Sequence, residues 1–395
     1  MHQRGSRRWG AAAALLIAAV TVAALAGASR NTSAATRPAV VIGWAHDSKG
    51  DMAPFDGPAL AAARLHVRNL NRRRGRQIRI ITCDTNGNNP ARAKTCARNL
   101  LGQGAQVMFV TCDVDFATPV VQEAINRGKL AIAPCIGTDQ MGPKRFGRAR
   151  GRLAFSFGNV AQDEGSAMAE YAIRRGWRTA GLGTNTLLVY FRNVVQAFEK
   201  RYTQLGGRIV ARESYSTGAN NVQAAVTRLN QRRAAVYVTS TAFGELPAFA
   251  SGFRSLGNRT PVLNSWAGDG TYWVTQNPQI TNYYAVTFAS VFGDDPNAAV
   301  RRLAVQVKAG TGGFVTGPAA IDGVMTAIRR AGGSTQGSAL ATQLERFRQV
   351  PTISGKVSFS RSLHTVFGRQ YRVIRVHNNR GRRVGLVTAK VVPKL

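Results

Sequence analysis

The sequence predicts an α/β protein built as two doubly wound lobes. Three observations carry this. Strand-like and helix-like stretches alternate at roughly 25–30 residues. The strand-like stretches are continuous apolar runs, as expected of strands buried on both faces of a parallel sheet. The rhythm then breaks at 152–165 and restarts, and 395 residues are more than one core usually holds.

In order, "AVVIGWAHD" (39–47) is the first strand, and "GPALAAARLHVRNLNRRRG" follows with Leu60, Ala63, Val67 and Leu70 at helical spacing. Next come strand "IRIITCD", helix "NPARAKTCARNLLGQG", strand "AQVMFVTCD", helix "TPVVQEAINRG" and strand "LAIAPCIGTD". After "RLAFSFGNVAQDEG" the second series opens with helix "GSAMAEYAIRRG" and strand "RTAGLGTN". It continues through "YFRNVVQAFEKRYTQLGG", "RIVARESY", "NNVQAAVTRLNQR", "AAVYVTST", "GELPAFASGFRSLG" and "PVLNSW". Two more helices, "NAAVRRLAVQVKAG" and "GPAAIDGVMTAIRRAGG", precede a β-rich tail containing "GKVSFS" and "GRQYRVIRVHNN".

The N-terminus reads as a secretory signal peptide over residues 1–28, with a second cleavage site at 33–35. Arg4, Arg7 and Arg8 form its basic region, and an Ala-rich apolar run extends from Ala11 to Ala28. A retained anchor is the alternative reading of that run. No later stretch is apolar enough to span a bilayer, so the mature chain is expected in the periplasm or outside the cell. Loss of the leader lowers the formal charge from +34 to +31, with no acidic residue lost. The cations are scattered, their short runs lack stacking aromatics, and no nucleic-acid-binding motif accompanies them, so nucleic acid is not expected as a partner. Four cysteines, Cys83, Cys96, Cys112 and Cys135, suit disulfides in an oxidising compartment, with three possible connectivities. None of their spacings is C-x-x-C, so no metal site is expected.

Ligands of open α/β sheets gather beyond the carboxyl ends of the strands. Here those ends are polar and Gly-rich: "AHDSKGD", "TCDTNGNNP", "TCDVDFATP" and "APCIGTDQ" in the first lobe, "GTNTLLVYF", "TSTAFGELP" and "NSWAGDGTYW" in the second. Trp44 and Asp47, where the first strand runs into its loop, are candidate ligand contacts. Trp44 fits the core equally well.

Taken in sequence, "GPALAA" from Gly57, "CDTNGNNPARA", "GKLAIAPCIGTD", "NVAQDEGSAMAEYA", "GGRIVARESY" and "TGPAAIDGVMTAIRRAGG" resemble the exported type I solute-binding proteins of ABC importers, in the leucine/isoleucine/valine-binding branch. The resemblance spans the mature chain. It implies crossing segments near 152–158, 283–289 and 351–358, with residues 38–156 and 288–353 in the first lobe and 157–287 and 354–395 in the second. It implies hinge closure on a small solute, an ABC permease as partner, a monomer, and no cofactor. By position it puts ligand contacts at Asp113, Val114 and Asp115 after the third strand, and at Cys135, Ile136, Gly137 and Thr138 after the fourth. In the second lobe it points to Tyr190, Ala242/Phe243, and Trp266 through Asp269. Because third and fourth strands are neighbours in such sheets, it also favours the pairs Cys112–Cys135 and Cys83–Cys96.

The chain departs from the family where it matters most for the ligand. Asp113 and Asp115 stand where the family has serines that hold a carboxylate, and the family's ammonium-binding glutamate falls near Trp266, leaving Asp269 as the nearest acid. An aspartate at a helix N-terminus fills with protein charge the place an anion would take. A solute offering an ammonium, amide or hydroxyls therefore fits better. Plainer roles compete at each position. Asp115 can cap the following helix, although Thr118 before Pro119 is also a competent cap. Trp266 and Tyr190 can be packing residues, and "GDG" at 268–270 can be a turn.

An enzyme is not expected. The histidines share no metal-ligand spacing, and neither a G-x-S-x-G elbow nor a phosphate-binding loop is present. The sequence thus points to a solute-binding protein serving a permease. An extracytoplasmic sensory protein using the same cleft is the alternative. Repressors of this fold carry an N-terminal helix-turn-helix, where this chain has its leader.

Overall fold

The computed structural model describes residues 38–73 and 75–395. The leader expected at 1–28 lies outside the described residues. The first series folds as β1 (Val40–His46), α1 (Ala53–Asn71), β2 (Ile78–Asp84), α2 (Pro90–Gly102), β3 (Val107–Phe109), α3 (Val114–Asn126), β4 (Leu130–Ala133), the one-turn α4 (Pro143–Phe146) and β5 (Ala154–Asn159). The second comprises α5 (Ala161–Arg174), β6 (Thr179–Asn185), α6 (Val189–Gln204), β7 (Arg208–Tyr215), α7 (Ala219–Asn230), β8 (Val236–Ser240), α8 (Glu245–Ser255), β9 (Val262–Asn264) and β10 (Tyr283–Thr287). The chain ends with α9 (Ala298–Val307), α10 (Thr316–Arg330), α11 (Gly337–Leu344), β11 (Val350–Thr352), β12 (Gly355–Val357), β13 (Thr365–Val366), β14 (Tyr371–His377) and β15 (Arg380–Val387).

Two sheets result. The first runs β13-β5-β4-β3-β1-β2 and is parallel throughout. The second runs β15-β14-β10-β9-β8-β6-β7, with the β14–β15 hairpin antiparallel at its edge. Asn378 and Asn379 close that hairpin with φ of 48° and 61°, the left-handed pair that a tight two-residue turn demands. Strand alternation sorts the first lobe's core. Val40, Ile42 and Trp44 face α1 and α10, while Ala45 and Met108 face α2 and α3.

Three segments link the sheets. The first follows β5, and the second follows β10, close to the expected positions. The third falls at 367–370 rather than 351–358. Thr365 and Val366 pair with β5, and Val357, Phe359 and Val366 join the first lobe's core, so residues 354–366 go with the first sheet. Residues 288–297 run instead beside the second sheet, where Asp295 forks to Arg372 at 2.9 and 3.1 Å. Cys83 pairs with Cys96 and Cys112 with Cys135, with Cα atoms 5.5 and 4.9 Å apart. Among the described residues no helix is long and apolar enough to cross a membrane.

Candidate functional site

A cavity lies where the strand ends of the two sheets face each other. The first lobe lines it with Met52, Phe55, Cys112, Asp113 and Ile136–Thr138, and the second with Leu188, Tyr190, Phe191, Ala242, Phe243, Trp266 and Ala267. Its volume is about 20 Å³, little more than the roughly 10–15 Å³ one water needs on the same measure. Aromatic rings fill the rest. Phe55 meets Trp266 edge-on at 5.0 Å between centroids and Phe243 at 6.3 Å, and Trp266 continues onto Phe288 at 5.2 Å. Tyr190 lies so close to the backbone of Gly137 that a Cβ there would sit 2.5 Å from its ring, so only glycine permits the approach. Phe243 holds φ of 54°, an uncommon backbone state for a bulky residue and one that turns this wall residue out of the strand-to-helix path.

Asp113 supplies the cavity's carboxylate. It is 4% exposed, and it is the N-cap of α3: Oδ1 accepts the backbone N–H groups of Asp115 at 2.8 Å and Phe116 at 3.3 Å. Burial, reinforced by the neighbouring Asp115 charge, raises its pKa to about 6, against the pull of the two N–H groups and Arg145. The helix therefore starts at Val114, five residues before Pro119, which it accommodates internally, and Thr118 donates its hydroxyl to the carbonyl of Val114 instead of capping. Asp115 points outward and pairs with Arg145 at 2.7 Å.

Of the sequence candidates, Asp113, Ile136, Gly137, Thr138, Tyr190, Ala242, Phe243, Trp266 and Ala267 come together around the cavity. The others do not line it. Trp44 is 1% exposed in the first lobe's core against Phe109. Asp47 is fully buried, and its carboxylate accepts the backbone N–H groups of Lys49, Gly50, Met52 and Gly87 and the amide of Asn88, organising the loop after β1. Val114 packs in the core, and Cys135 is occupied by its disulfide behind Cys112. Asp269 accepts from Thr287 Oγ1 at 2.6 Å and from the N–H groups of Gly270 and Gly312, a joint between loops.

Two acids escaped the sequence reading. Glu164, fully buried in the first turn of α5, accepts the backbone N–H of Trp266 at 2.6 Å on one oxygen and the Tyr190 hydroxyl at 2.7 Å on the other. It therefore positions both aromatic walls, and burial raises its pKa to about 8. Asp56 of α1 accepts the N–H groups of Asp47 and Cys112, fastening that helix to two strand ends, and burial lifts it to about 7. Asp56, Cys112 and Cys135 are also the one cluster of potential metal-binding side chains among the described residues, but the two sulfurs are bonded to each other. The signal for Glu164 was its place in "QDEG" opening a helix; acids there usually face water.

The sequence profile described as "Periplasmic binding protein" matches residues 39–381. No curated protein matches by sequence. Among solved structures, a leucine-binding protein LivK of Thermotoga maritima is 15% identical with a TM-score of 0.75, covering 88% of this chain and 99% of that one. The isoleucine complex of the branched-chain amino acid binding protein LivJ of Streptococcus pneumoniae is 17% identical with a TM-score of 0.74, over 88% and 99%. An ABC-transporter solute-binding protein of Rhodopseudomonas palustris, in complex with 3,4-dihydroxybenzoic acid, is 15% identical with a TM-score of 0.74, over 90% and 99%. With two α/β lobes linked by three crossings and a profile match running across both, this chain belongs to the periplasmic binding protein family, in its type I fold.

Proposed function

We propose that the protein is an exported binding protein that captures a small polar solute, amino-acid-like, an amide or related, between its lobes and delivers it to the membrane subunits of an ABC permease. The observation that carries this reading is the cavity lined from both lobes at the strand ends, with three segments linking the two sheets. The solutes of the compared structures, isoleucine and 3,4-dihydroxybenzoic acid, support small organic molecules as the cargo. Residues 1–28 act as the export signal, the mature chain works as a monomer in the periplasm or outside the cell, and binding uses no cofactor.

Asp113, Ile136, Gly137, Thr138, Tyr190, Phe243 and Trp266 are the contacts, with Phe55 and Phe191 added to them. The cavity holds little more than a water, so the solute enters an opened cleft, and closure follows from contacts that only the closed state makes. A thermal-shift screen of the purified protein against amino acids, amides, polyamines, sugars and aromatic acids tests the reading. Stabilisation by one class is expected, and silence across all of them would count against it.

A further inference from the structure

This inference rests on the reading of the cleft as a solute site and names the class of solute. No residue lining the cavity is a lysine, arginine or histidine, and Asp113 is the one acid. Asp113 Oδ1 is occupied by the helix cap, whereas among the described residues no donor reaches Oδ2. The nearby Arg145 is held outside the lining by Asp115 and Gln140. Around this half-used carboxylate stand the rings of Phe55, Tyr190, Phe191, Phe243 and Trp266.

The chemistry of these groups separates three kinds of solute. A carboxylate would meet Asp113 in a desolvated space with no cation to offset the repulsion. A neutral apolar molecule would leave Oδ2 buried and unpaired. A cation with an apolar body satisfies both demands: its N–H donates to Oδ2, and its charge and hydrocarbon lie against aromatic faces, which attract cations through their quadrupoles. We propose that the cleft selects small organic cations, amines with an apolar substituent, by pairing them with Asp113 inside the aromatic wall.

Matched probes test this: benzylamine, benzyl alcohol and benzoate, titrated calorimetrically at pH 8 into the purified protein and into Asp113→Asn. Asparagine still caps the helix, so the variant keeps its fold while losing the charge. Benzylamine is expected to bind at least tenfold more tightly than either isostere, and the Asn variant to lose that advantage. Tighter binding of benzoate, or of leucine or isoleucine with benzylamine silent, would overturn the cation class and leave the solute-binding reading standing. Silence from all five compounds, in the wild type and in a cleft loosened by Phe55→Ala, would overturn both.

Discussion

Phe55 of the first lobe and Trp266 of the second meet edge-to-face across the cleft, their centroids 5.0 Å apart and their planes at 81°. This contact, continued by Phe55 onto Phe243, holds the lobes together where a solute would lie. An aromatic pair contributes about 0.5–1.5 kcal/mol beyond the area it buries, and about 1.4 kcal/mol is a tenfold change in an equilibrium. Phe55→Ala is therefore expected to shift the unliganded protein toward an open form by up to about tenfold. Small-angle scattering should record a larger radius of gyration, and indole fluorescence a red shift as Trp266 meets water. An unchanged radius would mean that other contacts hold the cleft shut.

Asp113 has two separable roles, and stability measurements isolate one of them. As the N-cap of α3 it satisfies two backbone donors. Asp113→Ala is expected to be about 1 kcal/mol less stable than Asp113→Asn, since asparagine caps as well as aspartate and both variants lose the same buried charge. Urea denaturation of the two variants checks this. Equal stability of the two would show that the cap contributes nothing measurable.

Glu164 gives the fold an inverted pH response. Its pKa rises from 4.5 to about 8 through burial and the neighbouring Asp163 charge, opposed by the Trp266 N–H, the Tyr190 hydroxyl and the Arg369 charge. The folded chain thus binds this proton more tightly than the unfolded chain. The stabilisation is full below the ordinary carboxyl pKa and is lost as pH rises through about 8. Asp56 contributes the same sign up to about 7. His46 and His364, both lowered by burial, act in the opposite sense below about 6.5, so the clean window lies between pH 7 and 8.5. Tm is expected to fall across that window. Glu164→Gln, neutral throughout and able to bond both Trp266 and Tyr190, should flatten the fall; an unaltered slope would assign it elsewhere.

The α/β rhythm was legible because strands buried on both faces must be continuous apolar runs. The strand ends were legible as a site because a parallel sheet sends them all to one side. What escaped depends on distant partners. Asp113 and Asp115 look alike in "TCDVDF", and only the true start of α3 turns one into the cleft and the other to Arg145. Phe55 was missed because α1 begins at Ala53, before the Gly57-Pro58 pair from which the helix was read. Glu164 is buried by a turn about a hundred residues further on. The third crossing was misplaced because β13 is only two residues long, too short to leave a pattern.

The two cysteine pairs lend themselves to a paired experiment. Cys83 and Cys96 close a loop with a sequence separation of 13, and Cys112 and Cys135 one of 23. By the chain-entropy estimate each bridge stabilises the fold by about 3 kcal/mol. Their positions differ, however. Cys83 and Cys96 join β2 to α2 away from the cavity, while Cys112 lines it and donates its N–H to Asp56. Replacing Cys83 and Cys96 by serine is expected to lower Tm and leave solute affinity as it was. Replacing Cys112 and Cys135 should lower Tm by a similar amount and also weaken binding, because the loops carrying Asp113 and Thr138 lose the bridge that sets their spacing. Calorimetry of both double variants with the best solute from the screen decides it: equal affinity in the two would separate the Cys112–Cys135 bridge from the site it borders.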